Sequence, residues 1–139
     1  MSTRCQVQVI EGDQPWEKLT LYHHCDGYPS NMLPLIQKAY TMIGSGWKAG
    51  RAGQMASYLC ATDPGGFEPE AGHELHGDIE YFYTIRPSNQ DKHIGAVVKW
   101  IVTAYGVPLD CKTVDQMTLL ATAPSCEMAE RAATLKAKP

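Results

Sequence analysis

The stretch Arg4-Cys5-Gln6-Val7-Gln8-Val9-Ile10-Glu11-Gly12-Asp13-Gln14-Pro15-Trp16-Glu17-Lys18-Leu19-Thr20-Leu21-Tyr22-His23-His24 decides the fold. Residues 4–10 alternate with the two-residue period of a strand, and residues 16–24 do so again. Between them, Gly12, Asp13 and Pro15 supply a turn. The reading is a β-hairpin with Cys5, Val7 and Val9 facing inward on one strand and Leu19, Leu21 and His23 on the other.

Downstream, Asp26-Gly27-Tyr28-Pro29 reads as a structural turn, with Gly27 supplying unusual backbone angles, Pro29 fixing the chain direction and Asp26 accepting backbone N–H groups. Leu33, Ile36, Tyr40 and Ile43 then recur at helical spacing, with Asn31 as the expected N-cap, Pro34 in the first turn and Gly44 as the stop. Ala52, Met55, Ala56, Leu59 and Cys60 predict a second helix over about 51–60, closed by Asp63-Pro64-Gly65-Gly66. A loop is expected from there to Gly72. Residues 78–86, rich in aromatic and β-branched side chains, predict another strand, and 94–105 is assigned to a strand although its apolar spacing also fits a helix. Two helices are expected to close the chain, one opened by the Thr113-x-x-Gln116 capping box and one after Pro124-Ser125. The resulting class is α+β: an antiparallel sheet of about four strands in two hairpins, with helices packed on one face.

The 139 residues correspond to one domain, spanning 1–139, and 44% hydrophobic against 19% charged residues suffices for a packed core. A formal charge of −3 excludes non-specific attachment to phosphate backbones. No apolar run reaches the roughly 18 residues of a membrane span, and the N-terminus lacks the apolar core of a signal peptide. Five widely spaced cysteines, without a Cys-x-x-Cys pair, match neither a disulfide framework nor a zinc finger. These features together predict a cytoplasmic protein without a membrane partner, and they are compatible with a homodimer.

Chemistry is concentrated in two His-x-Asp pairs, His24/Asp26 and His76/Asp78, each next to a strand. Spacing of two in extended chain sends both side chains of a pair to one side, so two adjacent strands would bring the four groups together. Imidazoles and carboxylates ligate divalent transition metals and exchange protons, which makes these four residues the candidates for a metal-dependent, hydrolase-like enzyme. The competing reading is structural, with Asp26 capping its turn and the histidines filling buried hydrogen bonds. Cys25 alternates away from His24 and is a poor candidate for a nucleophile. Gly44-Ser45-Gly46-Trp47-Lys48-Ala49-Gly50 lacks phosphate-loop spacing, but Trp47 on that loop is a candidate binding anchor.

Charge placement carries the leading functional expectation. From Arg51 to Arg86 no Lys or Arg intervenes, while Asp63, Glu68, Glu70, Glu74, Asp78 and Glu80 all fall inside. A surface of one sign steers association toward a partner of the opposite sign. Asp63, Glu68, Glu70, Glu74 and Glu80 are therefore candidates to meet a basic protein or nucleoprotein, in a protein that is not an enzyme and needs no cofactor; a divalent metal ion belongs to the alternative.

The runs Ser2-Thr3-Arg4-Cys5, Tyr22-His23-His24-Cys25-Asp26-Gly27-Tyr28-Pro29 and Leu75-His76-Gly77-Asp78-Ile79-Glu80-Tyr81-Phe82-Tyr83 together resemble a family of small bacterial and phage proteins without an established activity. The similarity covers the first two thirds of the chain. It implies a shared fold and shared special positions, and it points to a phage- or mobile-element-encoded inhibitor of a host defence complex.

Overall fold

The computed structural model describes residues 3–44, 50–87 and 100–124. The hairpin is present as β1 (Cys5–Ile10) and β2 (Lys18–His23), paired antiparallel with Cys5 opposite His23 and Ile10 opposite Lys18. Its inward residues are those expected, with Cys5, Val7, Val9, Leu21 and His23 buried. Leu19 is the exception: it lies at the surface, 36% exposed, next to the turn that closes the hairpin.

Helix α1 (Pro29–Ile43) has Tyr28 at its N-cap position, three residues ahead of the expected Asn31. Pro29 at the first helical position loses no hydrogen bond, which makes it the natural start. Pro34 consequently falls inside the helix rather than in its first turn. The fully buried stripe of Met32, Leu33, Ile36 and Ala39 holds the helix in spite of the missing N–H. Helix α2 (Ala52–Thr62) follows the predicted pattern, and Glu11 of the hairpin turn accepts the Ala52 N–H at 2.8 Å, tying the start of α2 to the sheet.

The sheet is larger than expected and mixed. Among the described residues it has six strands in the order β3-β2-β1-β4-β5-β6, where β3 is Phe67–Glu70, β4 Tyr81–Pro87, β5 Trp100–Gly106 and β6 Thr118–Pro124. The central pair β1 and β4 is parallel, and every other pair is antiparallel. Two of the differences share a cause. β3 lies in the predicted loop, because four residues containing Pro69 have no strand signature until β2 offers them an edge. β6 replaces a predicted helix: the capping residues Thr113 and Gln116 do meet, but they cap only a single 3-10 turn (Val114–Gln116), after which the chain pairs with β5. Pairing across the sheet overrides a local signal in both cases. The strand assignment for 94–105 agrees with β5 from Trp100 onward. Its first part, Trp47, and the helix expected after Pro124 lie outside the described residues.

Both helices pack on one face, where Val7, Val9, Leu21, Tyr83, Ile85, Trp100 and Val102 meet Met32, Leu33, Ile36, Met55 and Leu59. The opposite face is covered in part by residues 71–80, which cross it as a strap. Tyr22, Ile79 and Phe82 form a second small core beneath them, with Leu75, Tyr105, Val107 and Met117 at its rim.

Candidate functional site

Strand alternation sends Gln6, Gln8, Thr20 and Tyr22 to the strap side, and Gln6 is the fastening point. Its side chain, fully buried, donates to Glu70 Oε1 (2.8 Å) and to the Glu74 carbonyl (3.0 Å), and it accepts from the His76 N–H (2.9 Å). One amide thus joins β1, the edge strand and the strap. His73 adds a second fastening, with Nδ1 2.9 Å from Thr20 Oγ1 and Nε2 donating to the Pro15 carbonyl at 3.1 Å. Asp78 closes the far end, accepting from the Tyr22 hydroxyl at 2.7 Å and lying 3.5 Å from the Arg4 guanidinium.

Three of the four residues of the His-x-Asp pairs do gather, around Tyr22. The His24 and His76 rings lie 4.5 and 4.6 Å from the Tyr22 ring, and Asp78 holds its hydroxyl. Each imidazole, however, already has its own carboxylate: His24 Nε2 is 2.8 Å from Glu68, and His76 Nε2 is 2.6 Å from Glu70. Asp26 does not join them. It sits in the turn after β2, where its carboxylate accepts from the Tyr28 hydroxyl at 3.3 Å and its carbonyl accepts from Asn31 Nδ2 at 2.8 Å. Among the described residues no three His, Cys, Asp or Glu side chains are placed to hold a metal ion.

The turn also departs from its expected detail. Asp26, not Gly27, takes the left-handed conformation, with φ of 54°. Asp26→Asn should therefore hold stability to within about 0.5 kcal/mol, since Asn tolerates that region, whereas Asp26→Ala should lose about 1 kcal/mol in urea denaturation.

The acidic residues divide into two groups. Asp63, Glu68 and Glu70 are engaged by His23, His24 and His76 in turn. Glu74, Asp78 and Glu80 are exposed, and of these Asp78 is answered by Arg4. On the helix side, His23 is almost fully buried, with Nε2 2.7 Å from Asp63 Oδ2, its ring edge-on to Phe67 and its Nδ1 buried without a partner. Gly66 makes that pair sterically feasible, because a Cβ there would stand 2.8 Å from His23 Nε2. A cleft of about 500 Å³ opens beside it, and exposed Cys25 lies on its wall. His23 and His24 point to opposite faces of the sheet, as adjacent strand residues must.

Sequence reasoning missed Gln6, Tyr22, His73 and Arg4. Gln6 and Tyr22 carry a faint signal, polar groups at strand positions whose neighbours are apolar. Their hydrogen-bond partners are 56 to 70 residues away in sequence, and no local pattern announces them.

Burial, together with the hydrogen bond to Asp78 and that residue's charge, pushes the Tyr22 phenol up to about 12, against a smaller opposing pull from Arg4. Burial likewise raises Tyr83 well above the ordinary phenol value and raises the Cys5 thiol. All three groups hold their protons more tightly in the folded chain than in the unfolded one. Stability from Tyr22 is fully present below the unfolded value of ~10 and is lost as the pH climbs through about 12. Urea midpoints measured from pH 8 to 12 are expected to fall steeply above about 10. Tyr22→Phe should flatten part of that fall.

The chain matches no family model, no curated protein and no solved structure, so the likeness in its motifs rests on the residues quoted above.

Proposed function

We propose that the protein binds a basic surface on a protein or nucleoprotein partner through the acidic face built by the strap and the edge strand. The supporting observation is the fastening by Gln6. By holding the Glu74 carbonyl and the His76 N–H, it fixes the course of the strap while the carboxylates of Glu74 and Glu80 remain exposed. The charges are thus presented on an ordered backbone, which lowers the entropy cost of association. Glu68, Asp78 and the partly covered Glu70 contribute charge at the margin, each already shared with His24, Arg4 or His76. The resemblance in the motifs adds a host defence complex as the partner class, with the protein acting as its inhibitor.

The variant for testing this is Glu74→Lys combined with Glu80→Lys, which avoids the carboxylates that hold the structure together. The double change should leave the urea midpoint nearly unchanged, because exposed substitutions move stability by only about 0.5 kcal/mol. Recovery of the partner from a host lysate should drop, with a slower association that is less sensitive to salt. Equal recovery by both proteins across salt concentrations would overturn the proposal.

A further inference from the structure

The most exposed large apolar side chain among the described residues is Leu109, at 91%, and it stands beside the strap. A cleft of about 590 Å³ lies between them. One wall is the strap from His73 to Gly77, and the other is the loop after β5, from Val107 to Lys112. Leu75 and Val107 on these walls also rim the small core of Tyr22, Ile79 and Phe82, so the apolar lining continues that core outward toward Leu109. Glu74 lies on the strap wall, which makes the cleft and the acidic face share a residue.

Both walls are ordered. Gln6 and His73 fasten the strap. On the loop, Val107 N–H donates to the Glu80 carbonyl (2.9 Å), Cys111 N–H to the Pro108 carbonyl (3.2 Å) and Lys112 N–H to Gln116 Oε1 (2.7 Å). Asp110 sets the tip of this turn with φ of 62°, a left-handed conformation that Asp adopts more readily than most residues. A side chain presented on such a turn is covered at a small entropy cost.

The surrounding charge selects the occupant. Residues 71–80 and 107–117 carry five exposed carboxylates, Glu74, Asp78, Glu80, Asp110 and Asp115, against Lys112 as their only Lys or Arg. Of the five, Asp78 is answered by Arg4. Glu74 and Asp110 line the cleft itself, one from each wall.

We propose that this cleft receives an apolar side chain of the basic partner, in a segment where Lys or Arg flanks it: the apolar group packs against Leu75, Val107 and Leu109, and the cations meet Glu74 and Asp110. This deepens the proposed function and rests on the acidic face being a docking surface.

Calorimetric titration with three short synthetic peptides separates the contributions: one alternating Lys with Leu, one Lys with Ser, one Glu with Leu. The Lys–Leu peptide is expected to bind best. Leu109→Ala should weaken it about tenfold at an unchanged thermal midpoint, while the weaker Lys–Ser binding stays the same. Asp110→Asn, which keeps a residue suited to the left-handed turn, should weaken both lysine peptides and make their binding less sensitive to salt. If Leu109→Ala leaves Lys–Leu binding unchanged, or Asp110→Asn leaves both lysine peptides unchanged, the cleft is overturned as the docking site; the acidic face then stands alone provided that Glu74→Lys with Glu80→Lys still weakens both. Insensitivity of the lysine peptides to those two reversals overturns the acidic-face reading, and the cleft with it. Equal binding of the Glu–Leu peptide, or no binding of any peptide, also overturns the proposal.

Discussion

Gly27→Ala is expected to destabilise the protein by about 2–4 kcal/mol, and Gly27→Val to prevent folding. The cause is proximity. A Cβ on Gly27 would stand 2.8 Å from the Cys5 Cβ and 3.0 Å from backbone atoms of Arg4 and Cys5, which belong to or border the buried strand β1. These atoms cannot move aside as the tip of a flexible side chain could. Pushing the turn outward would also break two buried bonds, from Gly27 N–H to the Thr3 carbonyl (2.8 Å) and from the Tyr83 hydroxyl to the Gly27 carbonyl (2.6 Å). Urea denaturation of Gly27→Ala checks the magnitude. A loss below about 0.5 kcal/mol would show that the turn is not seated against β1 as described.

Gln6→Leu should cost about 2–4 kcal/mol although it makes β1 more regular in its apolar content. The substitution approximately keeps the volume but removes the amide that satisfies the Glu74 carbonyl, the His76 N–H and one Glu70 oxygen. Those groups are then left under a covered face without partners, and such groups cost more than the lost bonds were worth. The expected response is local as well as global. Amide hydrogen exchange should accelerate in residues 73–79 before the rest of the sheet, because the remaining fastenings at His73 and Asp78 lie at the two ends of the strap. Uniform acceleration across all six strands would contradict the strap as a separately fastened unit. The same variant bears on function: loosening the strap disperses the charges of Glu74 and Glu80, so binding of a basic partner should weaken even though no carboxylate has been changed.

How much of this could be read without a structure follows from the range of each interaction. Alternation is a local property, so the hairpin with its buried Cys5, Val7, Val9 and Leu21 could be read from residues 4–24, as could the apolar stripe of α2. The start of α1 differs from the expected one by three residues, because Asn31 has the composition of a cap, whereas its side chain donates to the Asp26 carbonyl. The sequence marks Gly27 as special for its backbone angles; its need for closeness to β1 depends on a neighbour 22 residues earlier.

The sequence by itself determined the α+β class, the hairpin, both described helices and the strand at β4, since each rests on periodicity or propensity within a dozen residues, whereas the apolar spacing around β5 fits a helix as well as a strand. It also determined the acidic balance of residues 52–85, which is composition. Only the tertiary structure decided that β1 and β4 run parallel at the centre, that Phe67–Glu70 and Thr118–Pro124 become edge strands, and that His24 and His76 take Glu68 and Glu70 as partners while Asp26 stays in its turn. In each of these cases the deciding partner lies far along the chain. A strand of weak propensity forms because a neighbouring edge offers unpaired N–H and C=O groups, and an imidazole pairs with whichever carboxylate the folded chain brings beside it.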